Sequence, residues 1–109
     1  MAQKRVAQKI SEAFDLPETD VKSLPMGSPG ADIWLSQKAR QPFPFEVEVK
    51  NVEKLNVHKA FQQAIQHWQK TGEYDPPSYP LLVHTKNRGE LLATLRFDDL
   101  LELLKRVLP

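Results

Sequence analysis

Hydrophobic and polar positions recur with two different periods along this chain, and the change of period divides it into elements. Val6, Ala7, Ile10, Ala13 and Phe14 fall on one stripe at helical spacing, and Pro17 closes that segment. A short extended piece over 21–24 precedes Pro25 and the turn-forming run Met26-Gly27-Ser28-Pro29-Gly30. A strand is predicted over 31–36, with Ile33 and Leu35 on one face and Asp32 and Trp34 on the other. Residues 37–44, with two prolines, read as a loop. The cleanest strand is Phe45–Asn51, where Phe45, Val47 and Val49 alternate strictly with Glu46, Glu48 and Lys50. A second helix is predicted over Val57–Lys70, with Ala60, Phe61, Ala64, Ile65 and Trp68 along its stripe. A loop follows, from Gly72 through Asp75-Pro76-Pro77-Ser78. Then come a buried strand over 81–85, a turn over 86–89, a returning strand over 91–95 and a last helix over 98–108. The order α-β-β-β-α-β-β-α predicts one α/β domain, a mixed sheet flanked by helices.

Composition narrows the chemistry only slightly. The 109 residues suffice for a single cored domain, and 40% hydrophobic with 27% charged residues is ordinary for one. Cysteine is absent, which excludes disulfides and thiolate metal sites. No N-terminal apolar run has the length of a signal peptide, and nothing approaches a membrane span, so a cytoplasmic protein is expected. The net charge of +1 decides nothing, because carboxylates of a metal site would cancel basic residues elsewhere.

Period-two geometry puts Glu46, Glu48 and Lys50 on one face of their strand while the valines point to the other. One explanation is a solvated face on an edge strand, where charge discourages aggregation. The other is a metal site: carboxylates are the hard oxygen ligands that Mg²⁺ prefers, and a lysine can stabilise a phosphate or help position water. Asp32 favours the second. Counted back from the 37–44 loop as a hairpin, Ser36 pairs with about Phe45, and Asp32 comes opposite about Val49, between Glu48 and Lys50.

Gly30-Ala31-Asp32-Ile33, followed by Phe45-Glu46-Val47-Glu48-Val49-Lys50, resembles the PD-(D/E)XK nuclease superfamily, and within it the small Holliday junction resolvases of archaea and phages. The resemblance implies a restriction-endonuclease-like core and a divalent-metal-dependent endodeoxyribonuclease acting in DNA recombination, in a bacterial, archaeal or phage-infected cell. Asp32 and Glu48 would be metal ligands, with the Val49 carbonyl as a further ligand, Lys50 the catalytic lysine, and Mg²⁺ the cofactor, replaceable by Mn²⁺. Glu46 would be solvated or bind a second ion. Many members carry a glutamine on the helix after Glu-x-Lys; Gln63 matches best, its alternative being a solvent-facing residue. Relatives often have a glutamate on the first helix. Glu12 points about 180° from the apolar stripe and is placed on the surface, whereas Gln3 lies on the inward side and is placed near the site.

Lys38 and Arg40 in the first loop, and Lys86 and Arg88 in the later turn, could contact DNA phosphates, or could be ordinary surface charge. His58, His67 and His84 show no spacing of a metal cluster and read as surface or satisfied histidines. Trp68 reads as core, while Trp34 could pack on substrate or partner. The last helix carries Phe97, Leu100, Leu101, Leu103, Leu104, Val107 and Leu108, more than one sheet face absorbs, with Leu103 at the margin of the buried stripe. The excess suggests a homodimer, as the resemblance also implies for an enzyme that makes paired cuts in four-way junctions. The competing readings are a nickase or repair endonuclease of the same fold, and a DNA-binding module that kept the fold without the chemistry.

Overall fold

The structure is a computed structural model that describes residues 2–25, 31–70 and 77–107. The turn at 26–30, residues 71–76 of the proline-rich loop, and Leu108 at the end of the predicted last helix lie outside the described residues. The elements run α1 (Ala2–Ala13), a 3₁₀ turn (Glu18–Asp20), β1 (Val21–Ser23), β2 (Ile33–Leu35), α2 (Gln37–Arg40), β3 (Phe45–Asn51), α3 (Val57–Lys70), β4 (Tyr79–Thr85), β5 (Leu92–Thr94) and α4 (Phe97–Val107). The expected mixed-sheet α/β architecture is present, and two of its details differ from expectation.

The first concerns pairing. Strand β2 pairs antiparallel with β1, Val21 opposite Leu35 and Ser23 opposite Ile33, instead of forming a ladder with β3. Strand β3 pairs in parallel with β4 in the register Val47 to Leu81 and Lys50 to His84, with α3 as the crossover, and β4 pairs antiparallel with β5. The residues between β2 and β3 therefore do not make a simple hairpin loop. Ser36 turns them into α2 by accepting the Ala39 N–H on its hydroxyl at 3.1 Å, and Ala39 is fully buried.

A parallel pair with helices on both sides is buried on both faces. Val6, Ala7 and Ile10 of α1 cluster with Val47, Val49, Leu81 and Val83 on one side, while Ala60 and Ala64 of α3 are buried against the same sheet from the other. Glu46 and Glu48 are only 5% exposed, so they do not form the solvated face of an edge strand.

The second difference is α4. Its stripe Phe97, Leu100, Leu101, Leu104 and Val107 faces outward, at 70%, 36%, 42%, 47% and 78% exposure, and Asp99 is its buried residue. Leu103, expected at the margin of the buried stripe, is instead among the better covered leucines, at intermediate exposure. No helix among the described residues is long and apolar enough to cross a membrane.

Helix α1 stops four residues before Pro17. The chain turns at Asp15, whose φ of 52° is left-handed, and the Leu16 N–H reaches back to the Ser11 carbonyl at 2.9 Å. Glycine is the residue this closing position favours, since a Cβ strains the left-handed conformation by roughly 1–2 kcal/mol. Asp15→Gly should therefore raise the thermal midpoint by a few degrees, read by circular dichroism. An unchanged or lowered midpoint would mean that the Asp15 side chain offsets its own strain.

Candidate active site

The site begins at the join between the two sheets. The Asp32 N–H donates to the Val47 carbonyl at 2.9 Å, and the Asp32 carboxylate accepts the Val49 N–H on Oδ2 at 2.7 Å. Asp32 thus lies beside 47–49, as the count from the loop predicts, although it stands one residue ahead of β2, which begins at Ile33 and takes a different ladder partner. Val47 and Val49 turn their backbone groups to this edge, whereas the intervening residues turn theirs to β4. By the alternation of an extended strand, the Val49 carbonyl faces the Asp32 side as well.

Glu48 points from β3 to the α3 side. His67 Nδ1 lies 2.5 Å from its Oε2, and Lys50 Nζ lies 3.8 Å from its Oε1, an ion-pair distance too long for a hydrogen bond. Burial and the charge of Asp32 push the Glu48 carboxyl above the usual carboxylate range; the His67 hydrogen bond, the His67 charge and the Lys50 ammonium pull the other way without cancelling the rise. Each carboxylate is therefore hydrogen-bonded through one oxygen; among the described residues Asp32 Oδ1 and Glu48 Oε1 accept no hydrogen bond, and Oε1 faces Lys50.

Carboxylate oxygens of this kind are donors that a hard divalent cation such as Mg²⁺ or Mn²⁺ could use. Among the described residues no group of three or more His, Cys, Asp or Glu side chains is placed to hold a metal, so no all-protein cage exists there. Mg²⁺ does not need one. It is ordinarily held by one or two carboxylates and completes its octahedron with water and substrate phosphate. Two like charges near each other, one of them in a site that disfavours ionisation, are also what a divalent cation would relieve.

The remaining expected residues divide into several groups. Lys50 and Gln63 come together, lining with Asn56, Lys59 and Ala60 a cleft of 180 Å³ on the α3 side. Lys38, Lys86 and Arg88 are exposed, and Arg88 sits in a turn at a φ of 58°. Gln3 is half-buried on α1, and Glu12 is on the surface, accepting from Gln8 at 3.0 Å. Arg40 does not project to solvent. Its Nη1 donates to Glu46 Oε1 at 2.8 Å and its Nε to the Leu35 carbonyl at 3.1 Å, with 13% of the side chain exposed. That ion pair ties α2 to β3 and gives buried Glu46, which is not a solvated residue, its charge partner.

His67 is the residue that sequence reasoning passed over. The available signal was its register: Ala60, Ala64 and His67 follow the i, i+4, i+7 spacing of the face that packs on the sheet. Trp68 is only half-buried, its indole donating to the Ser78 carbonyl at 3.0 Å beneath Arg96. Trp34 is 42% exposed and carries Lys22 over its ring.

Comparison with protein-family models, with curated proteins and with solved structures returns no match for this chain, so function must be argued from the site's chemistry.

A carboxyl whose pKa is raised by folding favours the folded state while it is protonated. That contribution is present below its unfolded value near 4.5 and is lost as pH rises through the higher folded value. At neutral pH, Glu48→Gln should accordingly be at least as stable as the wild type, and the gap should close as pH falls below the carboxylate range. Denaturant melts across that range check it. A variant clearly less stable at neutral pH would contradict the assigned cost of ionising Glu48.

Proposed function

We propose that this protein is a divalent-metal-dependent DNA endonuclease of the PD-(D/E)XK kind, with a restriction-endonuclease-like core, acting on branched DNA such as four-way junctions as a twofold homodimer. The observation that carries the reading is the pair of half-anchored carboxylates, Asp32 and Glu48, meeting at β3 beside the Lys50 ammonium. In this reading they are the Asp and the Glu-x-Lys of the motif, brought together from the bend just ahead of β2 and from β3.

In this reading Asp32 Oδ1, Glu48 Oε1 and the Val49 carbonyl hold the cation. A bound Mg²⁺ would supply Lewis-acid activation of water and offset the charge that develops on the scissile phosphate. Lys50, whose side chain is 30% exposed, stands where it can neutralise phosphate charge at the mouth of the site, and Gln63 shares its cleft. Lys38, Lys86 and Arg88 supply backbone contacts that give affinity without sequence choice.

The dimer follows from α4. Its outward apolar residues cover an arc of roughly 120° on the helical wheel. A helix at a protein surface ordinarily turns such a stripe inward. Asp98 and Lys105 flank the same side of that stripe, one near each end. An antiparallel, twofold pairing would set each Asp98 against the Lys105 of the second copy, which makes a second copy the fitting occupant.

Purified protein should cleave junction DNA in the presence of Mg²⁺ and fail to do so in chelator. Asp32→Asn should abolish turnover while leaving junction binding largely intact, and Lys50→Ala should slow single-turnover cleavage by roughly 10²–10³-fold. Absence of metal-dependent cleavage on junction, flap, nicked and linear substrates alike would overturn the reading; turnover confined to nicked or linear DNA would retain the chemistry and remove the junction assignment.

Leu101→Glu combined with Leu104→Lys should convert the dimer to a folded monomer in light scattering. On a supercoiled cruciform that monomer should leave nicked circles where the wild type yields linear DNA. A wild type that is monomeric at micromolar concentration and still makes paired cuts would contradict the dimer.

A further inference from the structure

We infer that His67 is a positioning residue for Glu48: it holds one carboxylate oxygen so that the other is presented, already oriented, to the cation. The inference rests on the metal-centre reading above and adds to it a residue outside the Asp and Glu-x-Lys motif.

Glu48 has three side-chain torsions and sits almost entirely out of water. A free carboxylate there would sample several rotamers, and ordering it on a cation would cost conformational entropy. Among the described residues, His67 is its hydrogen-bond partner, through Nδ1 to Oε2; Lys50 offers charge at 3.8 Å but no hydrogen bond to Oε1. The two oxygens therefore have separate partners, and the one facing Lys50 is left to coordinate.

Asp32 follows the same plan. Its Oδ2 accepts the Val49 N–H, which leaves Oδ1. Both carboxylates are thus fixed by one oxygen through a hydrogen bond within the protein, the arrangement by which an outer partner orients a metal ligand.

His67 can serve this purpose because its own frame is fixed. Ala60 and Ala64 seat α3 flat on the sheet, at 5% and 2% exposure. One residue beyond His67, the Trp68 indole is tied to the Ser78 carbonyl at 3.0 Å, under the Arg96 guanidinium at 4.8 Å from the ring centroid. The imidazole itself stays about one-third exposed, at 32%, so the contact with Glu48 is not needed to fill a core.

Two substitutions separate orientation from packing. His67→Phe keeps a ring and removes the donor; His67→Asn removes the ring but can place an amide N–H near the position of Nδ1. Isothermal titration of the full-length protein with Mn²⁺, at one pH, reads the result. His67→Phe should weaken Mn²⁺ binding by about 10–100-fold, the range expected for loss of a ligand's outer partner, while His67→Asn stays within a few-fold of wild type. In cleavage assays the metal concentration for half-maximal rate should rise in His67→Phe far more than the rate at saturating metal falls. The exposed neighbour substitution Gln66→Ala should leave both quantities unchanged. Wild-type affinity in His67→Phe, or His67→Asn as weak as His67→Phe, would overturn the positioning role and leave the metal centre standing. No Mn²⁺ binding by the wild type would overturn the metal centre and this inference together.

Discussion

The junction of the two sheets turns on Asp32, with the Arg40 bridge from the Leu35 carbonyl to Glu46 as its second tie. Its main-chain N–H and its carboxylate grip the Val47 carbonyl and the Val49 N–H, and these bonds attach the β1–β2 hairpin to the otherwise open edge of β3. A carboxylate accepting a backbone N–H is a charge-assisted bond, worth roughly 1.5–3 kcal/mol net, so the join is strong for its size. It also fixes where the negative charge sits. The carboxylate that completes the sheet is held against the strand that carries Glu48 and Lys50, and fold and candidate chemistry are therefore coupled through one side chain.

The two buried glutamates of β3 show how a single strand face can serve two ends. Glu46 is paired with Arg40, which also bonds the Leu35 carbonyl, so α2, the end of β2 and β3 are locked at one point. Glu48 lies two residues further on and, among the described residues, meets a partly exposed histidine and a more distant lysine, with the charge of Asp32 opposing it. Its raised pKa is the signature of a charge held where the fold alone would not favour it. Such local conflict between stability and charge is what a cation bound at the proposed centre would relieve.

Much of this was legible in the chain because the physics involved is local. The strict alternation of Phe45–Asn51 and the stripe of Val57–Lys70 specify those elements with their observed bounds, and the short distance in sequence between Asp32 and Glu48 limits where the aspartate can go. The pairing of β2 with β1 was not legible: the residues of β1 carry only three positions of pattern, too few to outcompete a hairpin with the strong strand that follows. Helix α2 is hidden by its length of four residues and by Pro42 and Pro44 just beyond it, since one Ser36 cap decides it. His67 is hidden because the spacing of the three histidines speaks only to a metal cluster, whereas its meaning lies in the helix face it shares with Ala60 and Ala64. The outward turn of α4 escaped because periodicity reveals that an apolar stripe exists, not which way it faces.

The proposed metal centre puts a divalent cation between Asp32 Oδ1 and Glu48 Oε1, the oxygens left without a hydrogen bond among the described residues. Anomalous diffraction from crystals of the wild-type protein soaked in Mn²⁺ addresses it without reference to any DNA substrate. The expected result is a single strong peak within coordinating distance of Asp32 Oδ1, Glu48 Oε1 and the Val49 carbonyl, absent from crystals of Asp32→Asn grown and soaked alike. A peak elsewhere with that site empty, or a peak that survives in Asp32→Asn, would contradict the account.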